Sequence, residues 1–112
     1  MHSKHSKAAT KRQKERFERM TKIGCLACRI LGLENPGEVN HIVDGMKRKG
    51  HDFTYCLCPW HHRGVAPNGM NNRETTELLG PSRYHDGRAF KAIFGNDDQL
   101  LKLQNELIEQ NA

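Results

Sequence analysis

No run in this 112-residue chain is apolar for long enough to span a bilayer, and its first residues, MHSKHSKAATKRQK, contain no apolar leader segment. A membrane-spanning helix is therefore not expected, and the expected setting is a reducing cytosol. Hydrophobic residues make up only 36% of the sequence, so one modest core is the most a chain of this length can bury. Some cross-link would help it fold. Cysteines are few as well, four in all. In a reducing compartment they do not read as a disulfide framework, and the βαβ context of a thioredoxin-like Cys-x-x-Cys is missing. Metal binding is the favoured use, with plain buried thiols as the alternative.

The basic excess is confined to one end. Residues 1–22 carry Lys4, Lys7, Lys11, Arg12, Lys14, Arg16, Arg19 and Lys22 against Glu15 and Glu18, a net +6, whereas residues 23–112 sum to −1. That division suggests a flexible cationic arm, 1–22, and a near-neutral body, 23–112. An arm of this kind suits a polyanion such as DNA, because each phosphate it neutralises releases counterions, although a merely solubilising tail has the same composition. Ala8 to Met20 favours helix, with Phe17, Met20 and Ile23 along one side, loosely held without DNA.

Three cysteines and one histidine have the spacing of a zinc site. Cys25 and Cys28 form a Cys-x-x-Cys, and Cys58 and His61 form a Cys-x-x-His within CLCPWHH. Tight turns let both members of such a pair converge on one ion, giving a Cys₃His set for structural zinc. Cys56 competes with His61 for the fourth place, but its Cys-x-Cys bite with Cys58 is poorer. Between the two pairs, 38–43 reads as a strand, 44–50 as a basic turn and 52–57 as a second strand. Pro59 then opens a short helix to about Val65, halted near Pro67. Helices are expected over 72–79, 87–94 with Gly95 as cap, and 97–110. The last begins at an Asn96/Gln99 capping box and buries Leu100, Leu103, Leu107 and Ile108. Trp60 reads as a packing residue.

This order of strand, loop, strand and helix resembles the zinc-stapled ββα-metal (treble-clef-like) core of HNH endonucleases. The segments GCLACRILG, NHIVDG, LCPWHH and GRAFKAIFG, with the leucine-rich terminal helix, more narrowly resemble the Ref (recombination enhancement function) nucleases of phages, from about Gly24 onward. The resemblance implies an α+β fold with added C-terminal helices. It implies an enzyme that hydrolyses DNA phosphodiesters where a RecA filament is present, in a bacterial host and phage- or prophage-encoded. It makes His41 the general base and Asn40 and His62 ligands of a catalytic Mg²⁺ or another divalent ion. Asn40 stands where Asp or His is usual, and an amide oxygen binds a hard cation less strongly. His85, in RYHDG, is implied as a further ligand of that ion. Lys47, Arg48, Lys49 and Arg83 are candidate phosphate contacts. His51 could contact phosphate, complete the metal shell or be a plain surface histidine. A monomer is expected. The rival class of function is a non-catalytic zinc module that binds DNA or a recombination protein.

Overall fold

The structure, a computed structural model, describes residues 8–111, so Lys4 and Lys7 lie outside the described residues. In chain order the elements are α1 (Lys11–Ile23), α2 (Leu26–Ile30), β1 (Glu38–His41), β2 (Val43–Asp44), β3 (Lys47–Arg48), β4 (Thr54–Leu57), α3 (Pro59–Arg63), α4 (Asn72–Leu79), α5 (Gly87–Phe94) and α6 (Asp97–Gln110). Helix and strand together make the small α+β body that the sequence suggests. No described helix is long and apolar enough to cross a membrane.

Local signals explain most boundaries. Thr10, Asn71 and Asn96 each accept a hydrogen bond from the backbone N–H three residues on, while Gln13, Glu74 and Gln99 reach back to the cap, forming three capping boxes. Helix α1 stops at Gly24, whose φ of +85° favours glycine and whose added Cβ would lie 2.6 Å from the Asn35 carbonyl oxygen. Pro59 occupies the first turn of α3, which ends at Arg63, two residues before the expected end near Val65, and is capped by Gly64 in the left-handed region.

The N-terminal helix is docked, which corrects the expectation of a loosely held segment. Met20 is fully buried, and Arg16 ties α1 to two other elements. Its Nε donates to Thr54 Oγ1 at 3.1 Å, Nη2 to the Thr54 carbonyl at 2.6 Å and Nη1 to Asn105 Oδ1 at 2.8 Å. A guanidinium satisfied on three sides and half-buried acts as a clamp, and this one faces the protein rather than solvent phosphate.

Strands β1 and β4 pair antiparallel, with Glu38 opposite Leu57, Asn40 opposite Tyr55 and His41 opposite Thr54. The pairing extends one residue further through Ile42 N–H to the Phe53 carbonyl, 2.9 Å. The chain then turns outward into a hairpin, β2–β3, where a basic turn was expected. On the other side of β4, Gln104 of α6 accepts from the Cys56 N–H at 2.9 Å, so the helix satisfies the strand edge. The core around these elements contains Leu26, Tyr55, Leu57, Trp60, Leu79, Phe90, Phe94, Leu100 and Leu107 together with Cys25, Cys28 and Cys58. Trp60 packs as expected and donates its indole N–H to the Gly80 carbonyl at 2.9 Å.

Candidate metal centre and active site

Cys25 caps α2 and Cys58 caps α3, so each Cys-x-x-ligand pair is folded by the first turn of a helix. Those two turns face each other. Cys25, Cys28, Cys58 and His61 are all buried, with ligand atoms within 4.8 Å of one another; among the described residues no other group of three or more His, Cys, Asp or Glu side chains is close enough to share an ion. A tetrahedral zinc with arms of about 2.3 Å to sulfur and about 2.0 Å to nitrogen has ligand–ligand edges of roughly 3.8 and 3.6 Å. The edges here are 3.8 Å from Cys28 Sγ to Cys58 Sγ, and 3.5, 3.6 and 3.2 Å from His61 Nδ1 to Cys25, Cys28 and Cys58. The donor set therefore fits zinc in size as well as chemistry.

The surroundings of the cluster fit too. The Leu79 carbonyl lies 2.7 Å from His61 Nε2, and a carbonyl can only accept, so the ring proton sits on Nε2 and the Nδ1 lone pair faces the three sulfurs. Asn35 Nδ2 donates to Cys28 Sγ at 3.2 Å, as a thiolate requires. Cys56 is outside the cluster, because Cys58 has left the strand to cap α3 and the two side chains no longer share a face. Burial pushes its thiol up to about 12, and it remains a neutral buried group.

Beside this centre, β1 carries three polar networks. The first was not anticipated. Glu38 Oε2 lies 2.7 Å from His62 Nδ1 and 2.6 Å from Arg63 Nε, and its Oε1 accepts from Arg63 Nη2 at 3.0 Å. A carboxylate opposite Nδ1 fixes the proton there and leaves the Nε2 lone pair of His62 open. The Arg63 guanidinium, with help from His62, holds Glu38 below the usual carboxylate range. A glutamate two residues before Asn40 was the only sequence signal, and it is weak without the fold.

In the second network, His41 Nε2 lies 3.0 Å from His51 Nδ1, and Phe17 of α1 sets its ring edge against both imidazoles. Burial lowers the pKa of His41, and the charges of Arg48, His51 and His62 lower it further. Positive charge on His62 of α3 would thus be felt at His41 of β1.

The third network engages Asn40, which is only 2% exposed. Its Oδ1 accepts from Arg83 Nη1 at 2.9 Å, Arg83 Nη2 is 3.5 Å from Asp97 Oδ1, and the Tyr55 hydroxyl donates to the same Asp97 oxygen at 2.6 Å. The oxygen expected to face a cation thus faces a guanidinium. Arg83, expected on phosphate, is taken up by this network. His85 is exposed at the end of α3, with Nε2 3.0 Å from the Gly64 carbonyl and its ring against Trp60. Asn40, His62 and His85 are each engaged by different partners, and no contact joins the three. Lys11, Arg12, Lys14 and Arg19 remain exposed along α1, and Lys47, Arg48 and Lys49 along the hairpin. A cavity of about 620 Å³ runs beside α1, lined by both signs of charge, Arg12, Arg16 and Arg19 with Glu15 and Asp52. Neither His41 nor His62 lines it.

A family described as recombination enhancement, RecA-dependent nuclease matches residues 9–109, a span that includes the metal cluster and all three networks. No curated protein matches the chain.

Proposed function

We propose, from the premise that this chain belongs to the family of recombination enhancement, RecA-dependent nucleases, that it cuts DNA by an HNH-type hydrolysis with His41 as general base. The observation that carries this reading is the frame shared by two histidines. Strand β4 runs through the zinc-site residue Cys58 directly into α3, so His41 on the paired strand and His62 on the helix are held by one buried knot.

The steps follow from the side chains. A base needs one ring nitrogen anchored and the other open. His41 Nε2 lies 3.0 Å from His51 Nδ1, and in the tautomer that places the shared proton on His41 Nε2 the His41 Nδ1 lone pair is the one offered to a water. The water loses its proton to His41, its oxygen attacks the phosphorus in line, and the bond to the 3′ oxygen breaks. Lys47, Arg48 and Lys49 stand on the adjoining hairpin to hold the phosphate. A divalent ion, Mg²⁺ by preference, would stabilise the charge on the phosphoryl and leaving oxygens, and His62 Nε2 is the atom suited to hold it. Asn40 and His85 do not fit that ligand set as they stand, and no step runs through them.

Two expected results belong to this reading. Glu38→Ala should lower cleavage about 10–100-fold with zinc content unchanged, because His62 loses the partner that orients it; full activity in single-turnover assays would count against the assignment. The acid limb of the kcat/KM profile should fall below the reference value of 6.5. The sign is set first by burial and then by the charge of Arg48, with His51 and His62 adding to it only when they are protonated; together these keep His41 neutral, and therefore basic, down to a lower pH than a free imidazole. An acid limb above that value would be the contrary result.

The rival reading, a non-catalytic zinc module that binds DNA or a recombination protein, draws support from the engagement of Asn40 by Arg83. Incubation of the protein with circular single-stranded DNA and with duplex DNA, in Mg²⁺ and ATP, with and without RecA, separates the two. Strand breaks that require both RecA and Mg²⁺ are expected of the nuclease, and binding without breaks under every condition would favour the module.

A further inference from the structure

The hairpin β2–β3 has no evident role in the fold. It contains two residue pairs, Val43 with Arg48 and Asp44 with Lys47, so each strand is only roughly 7 Å long. Its base is fastened by Ile42, whose N–H donates to Phe53 and whose carbonyl accepts from Lys49, both at 2.9 Å. Gly45 takes a φ of +67° and Met46 a negative one, the sequence pattern of a II′ turn. Such turns are ordinarily polar. Here the tip is Met46, 99% exposed, with Val43 at 52% and Phe53 at 38% behind it.

An unbranched apolar side chain at the apex of a turn contributes nothing to the core and costs solvation. Three consecutive cations follow it, Lys47, Arg48 and Lys49, against the single carboxylate of Asp44. A thin ribbon with a cationic flank and an apolar point complements one kind of partner. The flank neutralises phosphates and the point enters between bases, as apolar wedges do in proteins that kink DNA. The location agrees, since the hairpin leaves β1 at His41 and the charge of Arg48 is felt by His41.

We propose that the β2–β3 hairpin is a wedge that enters a groove of duplex DNA and inserts Met46 at a base step beside the scissile phosphate. This rests on the nuclease reading for its choice of DNA as substrate. Opening a step there loosens the backbone within reach of His41.

The test uses the full-length zinc-loaded protein and a short duplex carrying 2-aminopurine, whose fluorescence rises when it is unstacked. Wild type should raise the fluorescence. Met46→Ala should abolish the rise and weaken duplex binding roughly tenfold, and Met46→Leu should restore both. Because the side chain is solvent-exposed, all three proteins should melt alike. A Met46→Ala protein with wild-type fluorescence change and affinity overturns the wedge, even while wild type cleaves DNA. If that variant unstacks DNA normally but loses only RecA-dependent cleavage, the hairpin meets the filament protein and the proposal fails. If wild type neither binds duplex nor cleaves, the nuclease reading falls with it.

Discussion

Cys28→Ser should leave a chain that neither retains zinc nor unfolds cooperatively. The ligands come from the two helix turns that flank the strand pair, and Leu26, Ala27, Leu57 and Trp60 pack around them. Removing one thiolate unties α2 from α3 and opens that packing to water. Structural zinc contributes an apparent ~10–16 kcal/mol in small domains, comparable to or larger than the ~5–15 kcal/mol that separates folded from unfolded states. With hydrophobic residues at 36% of the sequence, the core has little reserve to offset the loss. Zinc stoichiometry by elemental analysis and thermal melting by circular dichroism are the readouts, and a chelator should do to wild type what the substitution does. Cys56→Ser is the control. Its thiol is buried but outside the cluster, so one zinc per chain and a cooperative melt should persist. A Cys28→Ser protein with full zinc and an unchanged melt would show that the cluster does not hold the fold.

His41→Ala should lower cleavage by about 10²–10⁴-fold, the range usual for loss of a positioned base. The substitution should cost the fold little, because His41 is only partly buried and loses one hydrogen bond to His51 and an edge contact with Phe17. Zinc content, melting temperature and DNA affinity should therefore match wild type. That combination separates a catalytic defect from a folding one. His51→Ala should show the same pattern in weaker form, since it removes the anchor and leaves the base.

Features encoded within a few residues were legible in the sequence. The helices 72–79, 87–94 and 97–110 follow from capping residues and glycine stops, and their ends agree with the structure residue for residue. The Cys₃His set was legible for the same reason, because each pair needs only one turn of chain to converge. Helix α2 was missed, being a single turn whose cap is itself a metal-site residue. What could not be read depends on distant partners. Arg16 looked like one more cation of an arm, but Thr54 and Asn105 lie 38 and 89 residues away. Asn40 looked like a weakened metal ligand, but Arg83 is 43 residues further on. Glu38 acquires its role only because α3 folds back along β1 and sets His62 and Arg63 over it. Charge density alone cannot tell a solvated cation from a buried clamp.

Exogenous imidazole added to zinc-loaded His41→Ala, in the RecA-dependent cleavage of circular single-stranded DNA, tests the general-base assignment most directly. The expected result is little cleavage without imidazole and a rate that climbs with the concentration of its neutral form. Cleavage by the variant at the wild-type rate before any imidazole is added would contradict it.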